Sequence, residues 1–194
     1  MNPAVAIDNQ AAEALFWHGR SANSFSCEPV SDAELEAIYA MTKMGPTAMN
    51  NQPLRITWVR EGAVKPQVIE ALAEGNRAKA QSAPVVAVLS YDVDWHEHFE
   101  TFFPHAAHLK ESFTDESARA EIAKNNAWLQ AGYFVMAVRA AGLAAGPVGG
   151  FDNAAMDAAI NAGTSHRSFL VVNIGKPGEN PWFDRLPRLS DEVA

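Results

Sequence analysis

The run from Pro84 to Tyr91, Pro-Val-Val-Ala-Val-Leu-Ser-Tyr, constrains the fold more than any other stretch of the chain. It is almost continuously apolar and rich in valine, and it lacks the polar alternation of a strand with one wet face. Such a strand needs cover on both sides. A second core strand is expected at Phe169 to Ile174. A third runs from Leu54 to Arg60, where Leu54, Ile56 and Trp58 alternate with Arg55 and Thr57. Helical patterns supply the cover. One spans Asp8 to Trp17, with Ala11, Leu15 and Phe16 on a face. The next starts at Ser31, which has capping-box spacing with Glu34, continues through Leu35, Ile38, Tyr39 and Thr42, and stops at Gly45-Pro46. Further helices are expected at Val64 to Ala73, Asn76 to Gln81, Glu116 to Lys124 and Ala127 to Ala141. The last is apolar almost all round, so it belongs in a core or an interface. Strands separated by helices indicate a mixed α/β or α+β sandwich.

Between these elements lie an extended polar loop from His18 to Pro29, an amide-dense loop from Pro46 to Pro53, and an irregular segment from Asp92 to Ser112. A glycine-rich turn from Gly146 to Gly150 precedes a short helix that Asp152 can cap. The tail from Lys176 to Ala194 has three prolines and little periodicity, so it is expected to pack over a partner subunit. With 194 residues and no linker, the chain reads as one domain, 1–194. A net charge of -8 disfavours nucleic acid and anionic lipid as partners. No apolar run is long enough to span a bilayer. The N-terminus has no basic leader region, and the single cysteine, Cys27, cannot form an internal disulfide. Together these place the protein in a reducing cytoplasm. Cys27 reads as a small buried residue rather than a nucleophile.

Four separated segments have chemistry suited to an anionic, planar, hydrogen-bonding ligand. Arg20-Ser21-Ala22-Asn23-Ser24-Phe25 offers a guanidinium and hydroxyls, and Arg185-Leu186-Pro187-Arg188 offers two more cations. Thr47, Asn50 and Gln52 lie in the amide loop, where carboxamides can read a uracil-like ring edge. Asn76 and Lys79 are three apart and share a helical face. Each alone has a plainer reading: a solvated tail, a helix-to-strand turn, an exposed helix face. The dinucleotide motif G-x-G-x-x-G and the phosphate motif G-x-x-x-x-G-K-[ST] are both absent.

The order of these segments resembles the nitroreductase superfamily of FMN-dependent oxidoreductases. Arg20-Ser21-x-Asn23-x-Phe25 is similar to its N-terminal phosphate motif, and Pro46-Thr47-Ala48-Met49-Asn50-Asn51-Gln52-Pro53 to its P-[ST]-x-x-N-x-Q-P loop. Asn76-x-x-Lys79, Gly146 to Asp152, and Arg185 to Leu189 complete the likeness. Within the superfamily the chain most resembles the malonic semialdehyde reductases of pyrimidine breakdown. The stretches that suggest this are Ile38-Tyr39-Ala40, Phe103-Pro104-His105, Gly150-Phe151-Asp152 and Arg185 to Ser190.

The resemblance implies a nitroreductase-like α+β three-layer sandwich, with a mixed central sheet flanked by helices and completed by homodimerisation. It implies two FMN sites at the dimer interface. Arg20, Ser21, Arg188 and Arg185 would face the phosphate, beside Asn23, where the family often has a basic residue. Asn76 and Lys79 would reach the flavin's polar edge and ribityl chain. Thr47, Asn50 and Gln52 would approach from the other subunit. Pro147, Gly149 and Gly150 would lie beside the ring, Gly149 standing where the family often has Glu.

The implied activity is ping-pong transfer from NAD(P)H, through flavin N5, to a small-molecule acceptor, with no catalytic side chain assigned. The subgroup implies reduction of 3-oxopropanoate (malonic semialdehyde) to 3-hydroxypropanoate, with Arg55 or a histidine meeting its carboxylate. Alternatives are a general nitroaromatic or quinone reductase, and an FMN-binding carrier or sensor. The spacing of His96, His98, His105 and His108 makes zinc imaginable, but no thiolate is near, and Asp92, Asp94, Glu97 and Glu100 suit a hydrated acidic loop. No metal is expected; Trp95, Phe99, Phe102 and Phe103 are expected instead to gate a flavin face.

Overall fold

The computed structural model describes residues 6–190; the tail residues 191–194 and the first five residues lie outside them. Four strands form one sheet: β1 (Leu54–Val59), β2 (Val85–Asp92), β3 (Ala144–Val148) and β4 (His166–Gly175), in the order β1-β2-β4-β3. Every neighbouring pair is antiparallel. The parallel component of the expected mixed sheet amounts to the bridge between Ser21 and Ala145. Parallel neighbours need a crossover between opposite sheet ends; here the helices joining β1 to β2 and β3 to β4 bring the chain back to the end it left.

Helices cover both faces, which makes three layers. On one side lie α2 (Asp32–Thr42) and α6 (Glu116–Ala140), whose Leu35, Ile38, Ala131, Phe134 and Val138 pack on Val85, Ala87, Leu89, Val172 and Ile174. On the other lie α3 (Val64–Ala71), α4 (Glu74–Ser82) and α7 (Asn153–Ile160), with Val68, Leu72, Ala80 and Met156 against Val86, Val88 and Val171. Alternate residues of β2 thus enter different cores, and Val85 to Ser90 are all buried. That is why the run carries no polar alternation. Each such valine contributes roughly 1.5–3 kcal/mol of burial.

Capping sets the helix starts. The Ser31 amide donates to Glu34 Oε2 at 2.8 Å and the Glu34 amide to Ser31 Oγ at 3.3 Å. Asp115 caps α6 and Asp152 caps α7. Asp8 caps the first helix, α1 (Asn9–Ala12), which widens into a π turn over Glu13–Trp17 that leaves Phe16 exposed.

Four expectations need correction. The two helices expected over 116–141 are one, α6, which runs unbroken through Asn125 and Asn126, and the Asn126 side chain folds back to donate from Nδ2 to the Ile122 carbonyl at 2.9 Å. The glycine-rich turn over 146–150 begins as β3, and Pro147 is tolerated because β3 is an edge strand. The segment 92–112 is not a hydrated loop. Its turns Trp95–His98 and Pro104–Ser112 and helix α5 (Phe99–Phe102) build a satellite core, with Trp95 and Phe99 fully buried among Phe102, Phe103 and Phe113. Those two aromatics are therefore unavailable to cover a ring; Phe102 and Phe103 are part-exposed. Lastly, Cys27 is exposed, since Ala22, Phe25 and Val30 take the buried places in its loop.

Candidate active site

The chain from His18 to Pro29 is extended, and the tail folds back along it. The Asn23 amide donates to the Pro181 carbonyl at 2.9 Å, the Gly178 amide to Ser24 at 3.1 Å, and the Ser26 amide to Lys176 at 3.0 Å. Arg20 Nη1 donates to the Phe183 carbonyl at 2.9 Å. The described tail therefore docks first on its own chain. Loop and tail enclose a cavity of about 260 Å³ lined by Arg20, Ser21, Asn23, Arg185 and Arg188. Arg185 Nη2 donates to the Trp17 and Gly19 carbonyls, and Arg188 Nη1 to Leu186. None of these guanidinium groups has a carboxylate at ion-pair distance among the described residues. Three cations and one acid, Asp184, line the cavity, and Asp184 forms no ion pair with any of the three among the described residues, so the balance of charge favours an anion.

The same edge of the sheet carries the next candidates. The Ala22 amide donates to the Ala145 carbonyl at 3.0 Å, which fixes Ser21 beside β3. β3 runs through Pro147 to Gly149 and Gly150, both exposed, and a Cβ at Gly149 would meet nothing within 4 Å. There the strand meets α4: Asn76 Nδ2 donates to the Gly150 carbonyl at 3.2 Å, and Lys79 stands three residues along. Arg20, Ser21, Asn23, Pro147, Gly149, Gly150, Asn76, Lys79, Arg185 and Arg188 are thus strung along or beside the β3 edge.

Thr47, Asn50 and Gln52 are not. Their loop leads into β1, the opposite edge. Met49, Asn50 and Gln52 hold left-handed backbone, with φ of 53°, 55° and 39°. Such conformations cost of order 1–2 kcal/mol each in non-glycine residues and persist only where the surroundings impose them. The carboxamides hold one another: Gln52 Nε2 donates to Asn50 Oδ1 at 3.0 Å, and Asn50 Nδ2 to the Phe102 carbonyl at 2.9 Å. Asn51 is 2% exposed, and its side-chain Oδ1 and Nδ2 have no hydrogen-bond partner among the described residues.

Beside this loop, Asp92 gathers a polar cluster. Arg55 Nη2 donates to Asp92 Oδ2 at 2.7 Å and Ser165 Oγ to Oδ1 at 2.6 Å, while His98 and His166 Nε2 stand 4.0 Å from Oδ2. Burial alone would raise the Asp92 pKa. The Ser165 hydroxyl, Arg55, the Asp94 amide and His166 outweigh it and hold the carboxyl below its ordinary value. Burial lowers His166 despite Asp92, and lowers buried His96. Arg55, offered above for a substrate carboxylate, is already committed to Asp92 and to the Gln52 carbonyl at 3.0 Å. Among the described residues no three metal-ligating side chains are grouped to hold an ion.

The sequence profile of the nitroreductase family matches residues 20–176. The chain belongs to the nitroreductase family. A Streptomyces coelicolor protein named for NADH dehydrogenase and NAD(P)H nitroreductase activity is 48% identical, over 99% of this chain and 96% of its own. A Streptomyces griseus protein of the same name is 45% identical, over 97% of each chain. Among solved structures, an NAD(P)H:FMN oxidoreductase-type protein from Staphylococcus epidermidis superposes with a TM-score of 0.82 at 20% identity, over 98% of this chain and 97% of its own. A nitroreductase-type protein from Exiguobacterium sibiricum, solved in complex with FMN, gives 0.82 at 16% identity, over 100% and 99%. At these identities the superpositions speak for the fold.

Two groups in this nitroreductase-family chain escaped the motif reading. One is a polar stripe on α6. Asn126 Oδ1 accepts from the Ala48 amide at 2.8 Å, Gln130 Oε1 from the Leu54 amide at 3.0 Å, and the Tyr133 hydroxyl donates to the Pro46 carbonyl at 3.0 Å. The spacing 126, 130, 133 marks one helical face and was available in the sequence. Gly45 leaves room for Tyr133, since a Cβ there would stand 2.0 Å from the ring. The other is the Asp92 hub, whose partners Arg55 and Ser165 lie 37 and 73 residues away and have no local signature.

Proposed function

We propose that this chain is an FMN-dependent NAD(P)H oxidoreductase that works as a homodimer and reduces a small organic acceptor. The observation that carries the reading is the cavity where Arg20, Arg185 and Arg188 converge with no carboxylate at ion-pair distance among the described residues, on the same sheet edge, β3, that leads to Gly149–Gly150 and Asn76. The donor set fits FMN: cations for its phosphate, an amide and an ammonium for its polar edge, and glycine backbone where a flat ring needs close approach. When bound, FMN supplies the two-electron step between NAD(P)H and the acceptor.

The residues divide the work. Arg20, Ser21 and Arg188 hold the phosphate, with Asn23 at its margin, while Arg185 braces the turn that carries Arg20. Asn76 and Lys79 orient the pyrimidine end, and the Lys79 ammonium favours negative charge there. Gly149 and Gly150, with Pro147, leave one face of the ring open. With no dinucleotide motif in the chain, NAD(P)H and the acceptor would use that open face in turn.

The separation of Thr47, Asn50 and Gln52 from the cation cavity supports the dimer, because one chain cannot bring both sheet edges to one ligand. So do the exposed Tyr39, Met41 and Met44 at α2, the exposed Trp128 and Leu129 on α6, and Phe183, Leu186 and Leu189 in the tail, which would extend over the partner.

As acceptor we propose 3-oxopropanoate, on the strength of the subgroup stretches. The names of the relatives favour nitroaromatic reduction as the second reading. Purified protein should be yellow, sediment as a dimer and bleach anaerobically on NADPH addition. A colourless monomer unable to take up FMN overturns the proposal. Turnover of 3-oxopropanoate against a nitroaromatic then separates the acceptors.

A further inference from the structure

The turn that carries Arg20 is held from two sides, and one of the holders lies outside the cation cavity. Arg139, in the last turn of α6, donates from Nη1 to the Leu15 carbonyl at 2.8 Å. Its side chain lines cavities of about 250 and 440 Å³, not the one containing Ser21 and Arg188. The smaller of them shares Gly19 and Arg20 with the cation cavity, so these two residues form the partition between the two spaces. Gly19 permits the approach. A Cβ there would stand 2.5 Å from Arg139 Nη1 and 2.6 Å from Cζ, which no ordinary contact allows. On the opposite side, Arg185 Nη2 holds the carbonyls of Trp17 and Gly19 at 2.5 and 3.2 Å. Two guanidinium groups therefore clamp the Leu15–Gly19 turn through its carbonyls.

We infer that Arg139 is a positioning residue for the anion site: from behind Gly19 it fixes the turn that presents Arg20 and Ser21 to a phosphate, and it adds positive charge that the phosphate offsets. The inference rests on the FMN reading above and deepens it. No carboxylate lies at ion-pair distance from Arg139 among the described residues. Burial first, and then the charge of Arg185, push its pKa below the ordinary value. An anion beyond the partition offsets that repulsion. The same charge held elsewhere on the surface would be neutralised by water and salt at no cost to the fold.

The test is a pair of titrations on protein stripped of flavin, one with FMN and one with riboflavin, which differ only in the phosphate. Arg139→Met should weaken FMN binding about tenfold, the loss of one hydrogen-bonded charge near an anion, and leave riboflavin binding unchanged. Arg139→Lys, which keeps the charge but not the fork, should recover part of the loss. Gly19→Ala, which displaces the guanidinium, should mimic Arg139→Met, and the double variant should bind FMN no more weakly than Arg139→Met alone. Equal loss of FMN and riboflavin would make Arg139 a general structural residue and overturn the inference. So would unchanged FMN binding in Arg139→Met. If Arg139→Met proves unfolded by thermal melting, Arg139→Lys and Gly19→Ala carry the same comparison. A wild-type protein that binds neither flavin defeats the FMN reading itself, a result distinct from either of these.

Discussion

At the β3 edge of the sheet left-handed non-glycine backbone is confined to Asn180 in the tail and cations outnumber acids; at the β1 edge three residues of one loop are forced and the charges are matched. Arg20, Arg139, Arg185 and Arg188 donate to backbone carbonyls, with no carboxylate at ion-pair distance among the described residues. Across the sheet, Met49, Asn50 and Gln52 are left-handed, their carboxamides bond to one another, and Arg55 is paired with Asp92. The contrast teaches how each kind of recognition is stored. Attraction for an anion is long-ranged and tolerant of direction, so surplus cations suffice. Reading a ring edge depends on where a few neutral amides point, so the backbone must be imposed by α6 and the aromatic satellite core.

That contrast can be broken from the β1 side first. Phe99→Ala opens the satellite core on which Met49 packs and which holds Phe102 under Asn50. It should lower unfolding free energy by about 3–5 kcal/mol in urea melts, and proteolysis should then find the 46–53 loop before the β3 edge. A loss under about 1 kcal/mol would show that the loop does not depend on this core. From the β3 side, Arg188→Met should cost about 2 kcal/mol of FMN affinity, roughly thirtyfold, while barely moving the apo-protein's melting temperature. Matching losses of stability would erase the distinction.

Acid should separate the two edges next. The unfolded chain binds protons at the positions of His96 and His166 more readily than the folded one, so stability falls as pH drops below 6.5. The depressed Asp92 carboxyl adds stability above its ordinary value of 3.8 that is lost as pH falls through its folded value. Urea unfolding from pH 7 to 3 should show the first step and, below 3.8, the onset of the second. His96→Gln with His166→Gln should flatten the first, and flavin-free guanidinium groups contribute to neither. The smallest effect is expected at Asn51. Asn51→Leu removes two unpartnered buried polar atoms and should be neutral or stabilising by about 1 kcal/mol in the apo-protein. A clear destabilisation would mean that its amide is paired in solution.

The sequence made the sandwich legible because its signals were local: the valine run of β2, the Ser31–Glu34 box and the Asp152 cap all act within a few residues. The candidate site was legible as separate motifs. Their division between sheet edges was not, because strand order depends on pairings such as Val88 with Val171. The segment 92–112 misled because acids and histidines stand between its aromatics, although Trp95 and Phe99 keep the i, i+4 spacing of a buried helical face. The α6 stripe was hidden by the apolar residues around it, and Arg139 by looking like an ordinary basic helix end.

The central pairing of β2 with β4 has a consequence for how the chain is made. Residues 85–92 meet residues 166–175, so during synthesis the valine strand exists with β1 beside it and its other edge bare until β4 has emerged, about eighty residues later. Closing so long a loop makes sheet completion a late and slow event. In that interval the nascent protein displays the segment most prone to stick to another copy, which makes chaperone dependence during expression the expected price of a core strand sheathed on both faces.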